Sequence, residues 1–125
     1  MNPAELFRQE DHPVRLMAGE TLFRAGETGR EMFVLLDGAV DIVIGETALE
    51  LAQPGALIGE MALIDPAPRA ATVIAKTNSV LARIDQRRFH FLIQQNPFFA
   101  THVMKILVER LRHMNERLAP PPVRV

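Results

Sequence analysis

The chain has no cysteine. Disulfides, thiolate metal sites and cysteine-ligated iron–sulfur clusters are therefore excluded, and the absence fits a reducing compartment. No apolar run approaches the ~20 residues that a membrane-spanning helix needs. The N-terminus, Met1 to Glu10, is polar and carries no signal-peptide core. A soluble, cytoplasmic protein without membrane contacts is the expectation. Strong charge of either sign is also lacking. The formal net charge is -1, so no global field attracts nucleic acid, and an anionic ligand needs a local cationic pocket. The four histidines, His12, His90, His102 and His113, are scattered and form no His-x-His pair. With no clustered metal ligands, no nucleophile elbow and no paired catalytic carboxylates, no enzyme and no metal site are expected. Long repeats and low-complexity tracts are absent as well.

What is present fits one folded domain. The chain has 125 residues, of which 48% are hydrophobic and 23% charged, a balance that argues against disorder. Residues Pro3 to Gln9 suit a short helix, with Asn2 as cap and Pro3 in its first position. From Val14 to Ile84 the chain reads as strands. Turns are marked at Ala18-Gly19-Glu20, Ala25-Gly26-Glu27, Asp37-Gly38, Gly45-Glu46 and Gln53-Pro54-Gly55. Such punctuation, roughly every 8–12 residues, predicts an all-β roll or sandwich. Met32-Phe33-Val34-Leu35-Leu36 is almost continuously apolar and predicts a deeply buried strand. Val40, Ile42 and Ile44 alternate with Asp41 and Val43, so one face of that strand is expected on the core.

The pattern changes at Asp85, which suits a helix cap. Phe89, Leu92 and Ile93 then share one helical face. Asn96-Pro97 ends that helix and opens another, expected from about Phe98 to Leu118. Ala119-Pro120-Pro121-Pro122 cannot continue it. The expected architecture is thus mainly β: about eight strands over residues 14–84, a short helix before them, two helices over 85–118, and a proline-rich tail at 119–125.

The segment with the most chemistry is Gly59 to Val73, reading GEMALIDPAPRAATV. Gly59-Glu60 precedes a short helix-prone stretch, Met61 to Ile64. Helix N-termini expose unpaired N–H groups and a partial positive charge, which suits phosphate. Pro66 and Pro68 stiffen the return of the chain. Arg69 then offers a planar fork that matches two phosphate oxygens. The small residues Ala70 and Ala71 allow close approach to the backbone. Glu60 offers an acceptor for a sugar hydroxyl. Together these groups describe a pocket for a sugar phosphate.

This segment resembles the phosphate-binding cassette of cyclic-nucleotide-binding domains, the family of bacterial catabolite-activator proteins and kinase regulatory subunits. The shared pattern is Gly59-Glu60, an apolar residue, Ala62-Leu63, a short insert, then Pro68-Arg69-Ala70-Ala71-Thr72. Upstream, Gly19-Glu20, Gly26-Glu27, Gly29 and Met32 to Val40 match the family's glycines and buried strand. The resemblance covers about Val14 to Leu118. It implies a β-roll of jelly-roll type and a signalling role as a regulatory domain. It implies that Glu60 accepts from the ribose 2′-hydroxyl and that Arg69 pairs with the cyclic phosphate. The amides of Ala62 and Ala70 would hold phosphate oxygens, with Gly59 giving close approach to the ribose. Met61 and Ala71 complete the expected lining. Cyclic-GMP preference in this family often accompanies a threonine directly after the arginine. Ala70 stands there, so cyclic AMP is favoured and cyclic GMP is the alternative. No other cofactor is implied.

In the last helix, Met104, Leu107, Leu111, Met114 and Leu118 form a stripe spaced 3, 4, 3 and 4 over about two heptads. It fits either packing on the roll or, from the resemblance, a homodimer seam. The resemblance further places Met114 and Asn115 where catabolite activators offer hydroxyls to adenine, a role Met114 cannot fill. Arg110 matches an arginine that steadies the cassette glutamate. No DNA-reading element follows the helix, so output is expected through a partner protein, a dimer or ligand buffering. Two other readings stay open: an interaction module of this fold that binds no ligand, and a fragment of a catabolite-activator-like regulator.

Overall fold

The computed structural model describes residues 1–118, with the side chains of residues 114, 117 and 118 outside that description. The elements, in chain order, are α1 (Pro3–Leu6), β1 (Val14–Leu16), β2 (Thr21–Phe23), β3 (Met32–Asp37), β4 (Val40–Ile44), β5 (Thr47–Ala52), β6 (Leu57–Ile58), α2 (Met61–Ile64), β7 (Thr72–Ala75), β8 (Ser79–Ile84), α3 (Gln86–Gln95) and α4 (Pro97–Leu118). The strands pair into two four-stranded antiparallel sheets, ordered β1-β8-β3-β6 and β2-β7-β4-β5. The roll spans Val14 to Ile84, the range that the turn spacing predicts.

Side-chain alternation along β3 explains why its sequence is apolar from Met32 to Leu36. Phe33 and Leu35 point into the roll, where they meet Phe23, Val40, Ala52, Ile58, Val73 and Leu81. Met32 and Val34 point the other way, against Phe7, Leu63, Phe99 and Val103 from the helices. Successive strand residues face opposite sides, so a strand covered on both faces needs no polar set. β4 is covered on one face only. Val40 is buried and Ile42 packs on the core, but Ile44 is 48% exposed. A register shift between Ile42 and Val43 ends the alternation before it reaches Ile44, so the expected core face of this strand is two residues long.

The helix signals are accurate to a few residues. Asn2 accepts a hydrogen bond from the Ala4 amide at 3.1 Å, with Pro3 opening α1. That helix stops at Leu6 rather than Gln9, and the buried Phe7 ring turns inward against Phe99, with centroids 6.3 Å apart. Asp85 caps α3 through the Arg88 amide at 2.7 Å. Phe89, Leu92 and Ile93 pack on the helix-side core, as their spacing predicts. The proline-rich end, 119–125, lies outside the described residues. Among the described residues, no helix is long and apolar enough to cross a membrane.

The stripe on α4 is divided. Leu107 packs on the core with Val103 and Ile106, whereas Met104 and Leu111 are exposed, as is Val108 outside the stripe. Met114 and Leu118, also in the stripe, have side chains outside the described set.

Candidate ligand-binding site

Two loops and one helix bring the cassette residues together. Gly59 and Glu60 link β6 to α2, and Arg69 lies between α2 and β7. The loop between β2 and β3, residues 24–31, is laced to the arginine segment. The Gly26 amide donates to the Arg69 carbonyl and the Arg69 amide to the Glu27 carbonyl, each at 2.8 Å. Thr72 Oγ1 accepts from the Ala25 amide at 3.0 Å. Thr28 bridges Pro68. The backbone at Arg69 is therefore fixed from both sides.

Glu60 is almost wholly buried, at 1% exposure. Burying a carboxylate is costly unless it is paired. Its partner is Arg110 of α4, whose Nη1 contacts Glu60 Oε1 in a charge-assisted hydrogen bond. The second arm of Arg110 donates to the Leu57 carbonyl at 3.1 Å. The ion pair thus ties the last helix to β6 and to the cassette. Glu60 Oε2 is buried without a hydrogen-bond partner among the described residues. A buried acceptor left open is uncommon and suits a hydroxyl donor from outside.

Arg69 is buried differently. It is 8% exposed and makes no ion pair among the described residues. Its Nη2 donates to the Glu31 carbonyl at 2.8 Å and its Nη1 to the Gly59 carbonyl at 3.4 Å. Its Cζ lies 4.2 Å from the Phe23 ring centroid. Burial pulls the guanidinium below its ordinary pKa, while the charges of Glu31 and Glu27 pull it back up. Neither carboxylate is a contact partner, and the Glu31 carboxylate faces Arg83 at 3.4 Å.

Two glycines make room for this side chain. A methyl group on Gly29 would lie 2.6 Å from Arg69 Cζ, and one on Gly59 would lie 2.5 Å from its Nη1. Gly59 also has φ +74°, a conformation other residues rarely adopt.

The remaining expected residues are placed as follows. Met61 is about half exposed, and Ala62 is buried with its amide donating to the Gly59 carbonyl at 3.2 Å. Ala70 is exposed and Ala71 half-buried, beside Arg69. Arg110 reaches the cassette. Asn115 is exposed, and five residues beyond Arg110 it lies about 140° round the helix. The Met114 side chain is outside the described set. Among the described residues, no group of histidine and carboxylate side chains is placed to hold a metal ion. Sequence reasoning missed Phe23 and the Glu31 carbonyl, which reach Arg69 from 46 and 38 positions away. No local pattern marks either residue.

Comparison with known proteins identifies the family. A profile of the cyclic nucleotide-binding domain family matches residues 13–96. A cyclic nucleotide-gated potassium channel of Mesorhizobium japonicum is 39% identical over 93 residues, which are 74% of this chain and 26% of the channel. A CRP-like cAMP-activated global transcriptional regulator of Mycobacterium tuberculosis is 28% identical over 112 residues, 86% of this chain and 50% of the regulator. The chain thus spans half or less of these curated relatives. A solved structure from work on a cyclic-GMP-dependent signalling pathway in bacterial phytopathogenesis superimposes with a TM-score of 0.76 at 26% identity, covering 90% of this chain and 95% of the other. Fold, cassette and profile converge: the chain belongs to the cyclic nucleotide-binding domain family.

Proposed function

We propose that this domain is a cyclic AMP sensor, with the cyclic phosphate on Arg69 and the ribose 2′-hydroxyl on Glu60. The observation that carries the proposal is the pairing of two buried, incompletely satisfied groups within one cassette. Among the described residues, Arg69 is a buried cation with no ion-pair partner, and Glu60 has a buried oxygen with no donor. A cyclic nucleotide supplies both, because its phosphate carries one negative charge and its ribose one hydroxyl. Arg110 acts behind Glu60, holding the carboxylate rather than touching the nucleotide. The exposed Ala70 and the half-buried Ala71 leave the phosphate a close approach to the backbone. The Ala62 amide already has the Gly59 carbonyl as partner, so it contributes less than Arg69. Gly59 and Met61 line the ribose side. On α4, Asn115 keeps a side chain that can donate to or accept from a base, whereas Met114 offers no hydroxyl.

Ala70, in the place where threonine accompanies cyclic-GMP preference, favours cyclic AMP. The mycobacterial relative is named as cAMP-activated. The domain binds without hydrolysing, and its signal passes to a partner protein in the cytoplasm. The exposed Met104, Val108 and Leu111 on α4 support self-association through this helix, which sedimentation analysis of the protein measures directly. Calorimetric titration with cyclic AMP and cyclic GMP tests the main reading. Saturable binding of cyclic AMP, tighter than of cyclic GMP and without release of AMP, is expected. Heat from neither nucleotide would leave an interaction module that binds no ligand.

A further inference from the structure

We infer that Phe23 is a positioning residue for Arg69, an aromatic floor that holds the guanidinium ready for an anion. The inference rests on the reading of Arg69 as the phosphate-binding group. Phe23 ends β2, after a register shift between Thr21 and Phe23 in its pairing with β7. Phe23 is only 9% exposed and its ring packs on Phe33, with centroids 6.2 Å apart. The roll's interior core therefore extends through Phe33 and Phe23 up to the guanidinium, which lies over the Phe23 ring at 4.2 Å.

This support satisfies Arg69 without occupying its hydrogen-bonding edge. A guanidinium is planar and weakly hydrated on its faces, and its donors all lie in the plane. A ring on one face attracts the charge through its quadrupole and takes no donor. Of the five N–H donors of an arginine, the two named carbonyl bonds engage one on each terminal nitrogen. The other three make no hydrogen bond among the described residues. The Gly29 backbone lies close against the same guanidinium, so the side chain sits in a slot. An arginine free at a rim samples many rotamers and must lose that freedom on binding. Confinement in the slot removes this cost beforehand, and preorganisation of this kind raises affinity without adding a contact to the ligand. A carboxylate in place of the ring would also hold Arg69, but it would neutralise the charge that the phosphate needs.

The test replaces Phe23 with phenylalanines carrying one, two and three ring fluorines. These keep the ring's size while weakening its quadrupole. The readout is the cyclic AMP dissociation constant in the full chain, with Arg69 and with Arg69→Ala. Affinity is expected to fall in steps with fluorine count, reaching about three- to tenfold at three fluorines, and to stay flat in the Arg69→Ala series. Phe23→Leu, checked for folding by circular dichroism, should show a loss at least as large, again only when Arg69 is present. A flat series with Arg69, a rise, or the same fall in both series would overturn the role of Phe23. Unchanged affinity on Arg69→Ala alone would instead remove the phosphate assignment on which the inference stands.

Discussion

The two charged side chains of the cassette, Glu60 and Arg69, are buried on opposite terms. Glu60 has its counter-ion, Arg110, brought by a helix fifty residues away. Arg69 has neutral carbonyls and an aromatic face. A paired buried charge contributes to holding the fold together, because removing its partner strands it. A buried charge without a counter-ion contributes little to the fold and remains available to a ligand. The difference predicts that breaking the Glu60–Arg110 pair damages the structure, whereas removing Arg69 leaves the fold nearly unchanged.

Arg69→Ala is expected to give the largest effect. Truncating one partner of a desolvated charge pair typically costs ~2–5 kcal/mol, which is about 30-fold or more in affinity. Thermal stability without ligand should change little, since only two carbonyl bonds and one ring contact are lost. Arg69→Lys should recover part of the affinity, because a point charge cannot reproduce the fork. Calorimetry and a melting curve on the same preparations separate the two quantities. Wild-type affinity in the alanine variant would end the comparison.

Arg110→Ala tests the other half. It leaves Glu60 buried without a cation and frees α4 from the Leu57 carbonyl. Breaking a fully buried pair costs ~3–5 kcal/mol; Arg110 is partly exposed, so about 2 kcal/mol is expected here. The unfolding midpoint in urea should fall. Restoring the midpoint by adding Glu60→Gln would show that the stranded charge causes the loss, and an unshifted midpoint in the single variant would refute it.

Gly29→Ala acts on Arg69 alone. The added methyl would collide with the far end of the Arg69 side chain, which can move aside, and no unusual backbone conformation is at stake at Gly29. The expected outcome is about tenfold weaker cyclic AMP binding, from loss of the preorganised fork, with stability within ~1 kcal/mol of the original. Gly59→Ala should reduce both quantities, since its φ of +74° adds backbone strain to the same collision.

This contrast was half legible in the sequence. The eight strands, the capped helices and the members of the cassette all follow from short-range signals: turn glycines, Asn2 and Asp85 as caps, and the Gly-Glu to Pro-Arg spacing. Partnership was harder to read. Arg110 was reachable through family resemblance, but Phe23 and the Glu31 carbonyl meet Arg69 only because β2, β3 and β7 fold around one loop. The division of the α4 stripe was not legible either. Met104, Leu107 and Leu111 are alike in sequence, and only the position of the roll decides that Leu107 is covered.

The smallest effect concerns His102 on α4, a weaker version of the Arg69 situation. Partial burial lowers its pKa below the ordinary histidine value of about 6.5, with the N-terminal amino group and Lys105 adding repulsion and Glu109 opposing them. The folded state thus holds this proton less tightly than the unfolded chain does. At a pH above the unfolded value, both states carry a neutral ring and stability does not depend on this residue. As pH falls below about 6.5 the unfolded chain takes up the proton first, so the folded state loses stability until its own, lower pKa is passed. The expected signature is a shallow fall in the urea midpoint between neutral and mildly acidic pH, absent in His102→Gln. If the slope persists unchanged in His102→Gln, another group governs the acid response, and partial burial with local repulsion at His102 does not account for it.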